Sequence, residues 1–399
     1  MITVAAALEH ISSHARDYGV ELVDLLLSRG RILAEPVVAD RQFPPFDRVM
    51  MDGIAISSAA FDNGLRDFLV EQILAAGHVP AALKDAGSCI EVMTGACLPP
   101  GTDLVVPYEE CSILDGVATV NLESVRPFQH IHRMGADSRF GDVLLAAGKR
   151  ITPAMIAVLA TVGKDQVCVR RLPRIAVCST GDELVPVTAA PEPHQIRISN
   201  SFMLAAALAE EGIHAQLFHL PDDREKMSAQ LADLLSRYDA LLFSGAVSKG
   251  KYDFLPPVLE DLGMRVVFHR VAQKPGKPML FGTFENGPLV FGLPGNPAST
   301  LVCYQIFFKT WLHASLQCSG EPHVAQLSEQ IEFSPSLSYH LLVKLQTENG
   351  ILLATPCAGG NSGDIPALQR ADAILSLPPD RSVFFSGESF SIALLNPIS

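Results

Sequence analysis

Positive charge is scarce in this chain. Its 399 residues carry 30 lysines and arginines against 43 aspartates and glutamates, a formal net charge of −13. Broad neutralisation of nucleic-acid phosphates is therefore excluded, although a local basic pocket is not. No apolar run approaches the roughly 18 residues that suggest a membrane span. The N-terminus has no basic stretch followed by an apolar one, so no signal peptide is read there. The eight cysteines form no C-x-x-C pair. That speaks against a zinc or disulfide framework and for reduced thiols in a cytoplasmic protein. Low-complexity segments and short-period repeats are absent. No Ser-His-Asp or Cys-His pattern stands out. His130 and His132 could share a strand face, but no third ligand lies near them in sequence, so they read as ordinary side chains. Cys89, Cys97 and Cys111 read as buried thiols.

What is present is apolar: 48% hydrophobic and 18% charged residues, enough for a large core. The length suggests two to four domains. Val4, Leu8, Ile11, Leu22, Leu25 and Leu26 fall at roughly helical spacing, so residues 3–35 read as helical, ended by Gly30. A loop rich in Pro, Asp and Gly follows over 43–58. Short apolar runs punctuated by turns, including Asp115-Gly116, then indicate strands to about residue 130. A helix is expected around Pro153–Val162, its proline suited to the first turn. From 173 to 316 strand and helix alternate, which argues a doubly wound parallel sheet. From about 320 the pattern is β again, with a hairpin signal at Asn349-Gly350. The expected fold is thus α/β plus β. An elongated helical and linker region covers 1–43 and 131–172, and an inserted β domain 44–130. An α/β domain covers 173–316, and a C-terminal barrel or sandwich 317–399.

Three loops in the α/β region each follow an apolar run. They are Ser244-Gly245-Ala246-Val247-Ser248-Lys249-Gly250-Lys251-Tyr252-Asp253, Lys274-Pro275-Gly276-Lys277-Pro278, and Gly292-Leu293-Pro294-Gly295-Asn296-Pro297-Ala298-Ser299. Glycine lets backbone approach a ligand, lysine offers a point charge to an oxyanion, and a helix N-terminus presents N–H groups to an anion. Gly245 to Lys251 nearly satisfies a P-loop, but Tyr252 stands where the magnesium-binding hydroxyl belongs, so an ATPase is not supported. Prolines on both sides of Lys274 and Lys277 fix the backbone. Asp182, Glu183, Asp222, Asp223 and Asp253 are each explicable as helix caps or solvated loop acids. Their recurrence after successive strands, beside lysines, points instead to a phosphorylated ligand held with a hard cation. In open α/β sheets such loops meet beyond the carboxyl ends of the strands.

Taken together, the motifs resemble the MoeA-type molybdopterin molybdenumtransferases over nearly the whole chain. Phe46-Asp47-x-x-x-Met51-Asp52-Gly53-x-Ala55 is similar to the family's FDNSAMDGYA. Met93-Thr94-Gly95-Ala96-x-x-Pro99-x-Gly101 resembles TGA-x-x-P-x-G, and Ser179–Leu184 matches STGDEL. Ser244-Gly245, Val247-Ser248, Gly250 and Asp253 match SGGVS-x-G-x-x-D. The two remaining loops match KPGKP and GLPGNP. The resemblance implies a MogA/MoaB-like α/β domain and a homodimer, with the active site between the α/β domain of one subunit and the inserted domain of the other. It implies that molybdate is inserted into adenylylated molybdopterin with magnesium-dependent release of AMP. On that basis Glu183, Asp222 (or Asp223) and Asp253 hold the cation. Ser179, Gly181, Asp182, Ser244, Gly245, Ser248, Lys274, Lys277, Pro294, Gly295, Asn296, Pro297 and Ser299 bind substrate. Asp52 and Thr94 come from the other subunit and touch the pterin or the nucleotide. Asp137 resembles the aspartate of the family's R-R-x-G-E-D segment. These three, with Glu183, Asp222 and Asp253, are the implied catalytic residues. Molybdopterin adenylyltransferase and apo-molybdoenzymes are the implied partners. The chain departs from the family at Arg48, Val49, Ile54, Ala136, Ile198, Ala246, Lys249 and Lys251. These changes remove acidic and polar groups and add positive charge. They bear on the number of metal ions and on substrate contacts. Two other readings remain: a diverged enzyme for another phosphorylated ligand or tungstate, and a non-catalytic scaffold similar to the gephyrin C-terminal domain.

Overall fold

The computed structural model describes residues 1–245, 254–318, 322–357 and 365–396. The chain divides into two units. One comprises Met1–Glu35, Ala147–Ile156 and Gln166–Ser399, the other Pro36–Ala146 and Ala157–Asp165.

The smaller unit is built on a six-stranded sheet. Its order is Leu104–Pro107, Gly53–Ile56, Ser88–Val92, Asp67–Leu74, Val117–Val120, Cys111–Leu114. Gly53–Ile56 lies inside the stretch expected to be loop. All four of its residues are buried, with Ile54 and Ile56 in one core cluster and Ala55 in another. A strand covered on both faces lacks the apolar–polar alternation that marks a half-buried strand. Asp115 and Gly116 adopt φ values of 50° and 78° and join two antiparallel strands, with Leu114 opposite Val117. That is the two-residue turn the sequence predicts.

In the larger unit the first helix is Val4–Ser13. The Thr3 hydroxyl caps it, accepting the Ala6 N–H at 3.2 Å. The helix expected over 3–35 is therefore much shorter. Gly19 takes φ 82°, and Val20–Asp24 becomes a strand antiparallel to Gln166–Arg170. Leu22 and Leu26 are 64% and 79% exposed, so their spacing does not mark a core-facing helical stripe.

The α/β sheet runs Gln216–Leu220, Ile175–Thr180, Ala240–Ser244, Leu289–Leu293, Leu280–Thr283, Arg265–His269. The first four strands are parallel. The last two are antiparallel to their neighbours, a mixed edge that the strand–helix alternation did not reveal. Ile175 and Val177 face one core with Leu204, Phe291 and Trp311. Ala176 and Cys178 face the other with Met227, Leu231 and Leu259. Burial on both faces explains the unbroken apolar run. Asp223 caps the helix Arg224–Arg237, its carboxylate accepting the Glu225 and Lys226 N–H groups at 3.1 and 3.0 Å. The last helical stretch is Pro297–Cys303, a π turn Tyr304–Phe308, then Lys309–Ser315.

Beyond it, Ser338–Glu348, Ile351–Pro356, His323–Leu327, Ser389–Leu394 and Ala373–Leu377 pair in sequence, and the last returns to the first. The five strands close a barrel around Leu341, Val343, Leu375 and Phe384. Asn349 and Gly350 turn its first hairpin at φ 50° and 80°. Elsewhere in this unit the buried Glu211 carboxylate meets Arg150 at 2.5 Å, Lys309 at 3.1 Å and His313 at 3.3 Å. Among the described residues no helix is long and apolar enough to cross a membrane. All eight cysteines are free.

Candidate functional site

Register brings the sequence-predicted loops of the α/β sheet to one edge. Ser179 stands opposite both His219 and Ser244, and Ser244 opposite Leu293. Four parallel strands therefore end level. Gly181-Asp182-Glu183, Pro221-Asp222-Asp223, Gly245 and Pro294–Pro297 leave from the same rim. Asp182 and Asp222 are cross-linked there. The Asp182 N–H donates to Asp222 Oδ2 at 3.3 Å, and the Asp222 N–H donates to Asp182 Oδ1 at 3.2 Å. The Glu183 carboxylate lies against Gly181, in the space a β-carbon would need. Ser179 is buried, its Oγ 3.1 Å from His219 Nδ1 and 3.3 Å from the Phe218 carbonyl.

Backbone closeness defines the middle of the rim. The Gly245 N–H donates to the Leu293 carbonyl at 3.1 Å, at φ 97°. A β-carbon there would sit 3.3 Å from Thr180 Oγ1, and one on Gly295 would sit 3.7 Å from Gly245 Cα. The Pro294–Pro297 loop is tied from two sides. Asn200 Nδ2 donates to the Gly295 carbonyl at 2.6 Å. Thr300 Oγ1 donates to the Pro294 carbonyl at 2.6 Å. Asn200 Oδ1 and Thr180 Oγ1 are buried beside this loop and have no partner among the described residues. The sequence reading placed no role on Asn200 or Thr180. Thr180 did lie within the STGDEL-like motif, whereas the signal for Asn200 was its position at a helix start.

The same loop has a second side. Pro294, Asn296 and Ser299 line a cavity of about 710 Å³ together with Lys274, Lys277 and residues of the C-terminal barrel, including Glu332, Tyr339 and His340. Gly276 anchors the lysine loop at φ 88°. A β-carbon on it would fall 2.5 Å from Cys303 Sγ, so only glycine lets the loop pack so closely. Gln273 Nε2 donates to the Gly276 carbonyl at 3.1 Å. The Pro294–Pro297 loop thus leaves the same rim as the acids, next to Gly245, and also lines the two-lysine cavity.

In the smaller unit Thr94 donates twice to Asp52 Oδ1, from its backbone N–H and its hydroxyl, each at 2.6 Å. The hydroxyl bond first, then the backbone bond, holds the Asp52 carboxyl below the usual carboxylate range. Asp137 Oδ1 lies 2.8 Å from His132 Nε2, and His132 Nδ1 lies 3.1 Å from Arg48 Nη2. A guanidinium can only donate. His132 Nδ1 therefore accepts from Arg48, and Nε2–H donates to Asp137. His132 thus links Arg48 to Asp137 across two short strands, a contact that spacing in sequence does not record.

Ser248 and Asp253 lie outside the described residues, as do Ala246, Lys249 and Lys251. Among the described residues no group of three or more His, Cys, Asp or Glu side chains could by itself hold a metal ion.

Three family models match the chain. They are MoeA N-terminal region (domain I and II) over residues 2–163, a probable molybdopterin binding domain over 176–314, and MoeA C-terminal region (domain IV) over 324–395. A molybdopterin molybdenumtransferase of Synechocystis sp. is 40% identical over 394 residues, 98% of this chain and 99% of its own. The chain belongs to the MoeA family. Another relative, a molybdopterin molybdenumtransferase of Bacillus subtilis, is 32% identical over 99% of this chain and 94% of its own. The crystal structure of a molybdopterin biosynthesis MoeA protein from Pyrococcus horikoshii superposes with a TM-score of 0.84 at 27% identity, covering 99% of this chain and 100% of that one. The three models between them span the smaller unit's sheet, the acidic rim and the barrel.

Proposed function

We propose that this chain is a molybdopterin molybdenumtransferase that inserts molybdate into adenylylated molybdopterin, with magnesium-dependent release of AMP. The observation that carries the reading is one loop, Pro294–Pro297, which leaves the same sheet edge as the acids and also lines the two-lysine cavity. Such a layout suits a substrate with a phosphoanhydride next to an oxyanion. Lys274 and Lys277 supply positive charge to molybdate or the pterin phosphate. Molybdate and tungstate are tetrahedral oxyanions of equal charge, so two lysines alone do not separate them.

The acids fit a magnesium ion. Asp182, Glu183 and Asp222 are hard oxygen donors, and the Asp182–Asp222 pair uses one oxygen of each carboxylate. Magnesium needs only one or two carboxylates when substrate phosphates complete its shell. Asp222 and Glu183 would hold it here, and Asp253 remains a proposed third ligand from the family motif. Bound there, the ion would neutralise charge developing on the phosphoanhydride oxygens. Ser179, Ser244, Gly181 and Gly245 form the rim floor against which the nucleotide lies. Asp52, Thr94 and Asp137 are proposed as further active residues, with Thr94 keeping Asp52 ionised.

We further propose a cytoplasmic homodimer that receives substrate from molybdopterin adenylyltransferase and delivers product to apo-molybdoenzymes. Leu22, Leu26 and Leu27 are exposed apolar side chains close together in sequence, and a second copy would cover them. The four-region division at 43, 130, 172 and 316 is part of the same proposal.

The test is AMP release from adenylylated molybdopterin by the purified chain, with and without magnesium and molybdate. Release that requires both ions supports the reading. Tight binding without release, or no binding, would overturn it.

A further inference from the structure

Lys274 is held in an unusual way. It ends the short strand Gln273–Lys274, which pairs in parallel with the barrel strand Ser338–Glu348, Lys274 opposite Tyr339. Tyr339 stacks on Phe333 with ring centroids 4.2 Å apart and planes 21° from parallel. The Lys274 ammonium lies 5.3 Å from the Tyr339 ring centroid and 5.6 Å from that of Phe333. Both distances are within the reach of a cation–π contact, roughly 6 Å. Burial raises the Tyr339 phenol above its usual pKa, so the ring attracts the ammonium as a neutral π face. Among the described residues no carboxylate forms an ion pair with Lys274. Glu332 lines the same cavity, but Gln330 Nε2 bonds its carboxylate at 3.1 Å.

The distinction matters chemically. A carboxylate partner would fix a lysine and cancel its charge. Two ring faces restrict the long side chain while leaving its full charge and its N–H donors for an incoming anion. We propose that Phe333 and Tyr339 are positioning residues: the stacked pair holds the Lys274 ammonium at the cavity without neutralising it, and the C-terminal barrel thereby sets the affinity for the oxyanion. The proposal rests on the reading of Lys274 as a substrate lysine. It adds that a lysine of the α/β region is tuned by residues 59 and 65 positions further along the chain.

The experiment is molybdate binding to the full chain by calorimetry, paired with steady-state AMP release at varied molybdate. Lys274→Met should weaken molybdate binding by more than about tenfold. Tyr339→Leu, and the double variant Phe333→Leu/Tyr339→Leu, should raise Kd and KM for molybdate by roughly three- to tenfold, in line with one or two lost cation–π contacts. Their kcat at saturating molybdate should stay within about twofold, and Tyr339→Phe and Phe333→Tyr should bind as the wild type does. If Lys274→Met weakens binding and the leucine variants do not, the positioning role is overturned while the lysine reading stands. If Lys274→Met has no effect, both fail. Phe333 is nearly buried, so the double variant could fail to fold. The single Tyr339→Leu change, at a half-buried position, then decides alone. A leucine variant that lowers kcat with KM unchanged would also overturn the proposal.

Discussion

Two lysines of the larger unit show opposite treatment. Lys309 sits 3.1 Å from Glu211, inside a buried cluster with Arg150 and His313. Lys274 sits on two aromatic faces beside a 710 Å³ cavity. In the first place one buried carboxylate is held by three cationic side chains of the fold, and the result is structure. In the second, among the described residues, the positive charge is placed without a carboxylate partner, and it is there that we propose the oxyanion binds. Glu211 shows the cost balance of the matched cluster. Burial alone would raise its pKa, yet the His313 hydrogen bond and the charges of Lys309 and Arg150 bring the carboxyl well below its usual value of 4.5. Pairing, rather than the mere presence of charge, separates the structural cluster from the functional one.

The largest effect should come from removing the unmatched charge. Lys274→Met with Lys277→Met should lower molybdate-dependent turnover by about a hundredfold or more, on the scale of losing charge-assisted contacts. Circular dichroism and the melting temperature should be unchanged, because neither head group carries the fold. Breaking the matched cluster should do the reverse. Glu211→Gln should destabilise by about 1–2 kcal/mol, since it removes the charge that three partly exposed cations share, while activity per folded molecule is kept. Denaturant titration checks the first part and active-site-normalised rates the second. Glu211 also predicts a pH effect. Its folded pKa is depressed, so its contribution is full above the unfolded value near 4.5 and is lost as pH falls below that toward the folded value. Acid unfolding of the wild type should be steeper across that window than that of Glu211→Gln.

A smaller effect is expected at Asp52. Thr94→Val removes the hydroxyl that most lowers the Asp52 pKa, so that pKa should move up toward 3.8. The acid limb of the pH–rate profile should shift upward with it, with no change in melting temperature. Smallest of all is Gly295→Ala. Its β-carbon would meet Gly245 Cα at an ordinary 3.7 Å, so stability should change by no more than about 0.5 kcal/mol. Gly276→Ala, at φ 88° and 2.5 Å from Cys303 Sγ, should cost several times that. Thermal melts of the two variants side by side separate a glycine kept for ligand approach from one kept for packing.

Much of this was legible in the sequence, and the reasons are local. The parallel strands announce themselves as mostly apolar runs followed by Gly or Pro, and the shared rim follows from the fold class. Asn349-Gly350 and Asp115-Gly116 encode their hairpins in two residues. Other features were hidden. Gly53–Ile56 is buried on both faces and embedded among turn residues, so it resembled loop. Leu22 and Leu26 are apolar yet exposed, so they resembled a helix face. Leu280–Thr283 makes a tight antiparallel pair that breaks the βα rhythm. Above all, the Lys274–Phe333–Tyr339 contact joins distant segments through barrel closure, which no local pattern records. The six motifs gave the loops but not that Pro294, Asn296 and Ser299 line one cavity with Lys274 and Lys277.

The most direct measurement compares AMP release from adenylylated molybdopterin by the wild type and by the Lys274→Met/Lys277→Met variant, at matched folding, with magnesium and varied molybdate. The expected result is molybdate-dependent release by the wild type and none above background by the variant, which still melts as the wild type does. Equal molybdate-dependent release by both proteins would contradict the assignment of the two-lysine cavity as the oxyanion site.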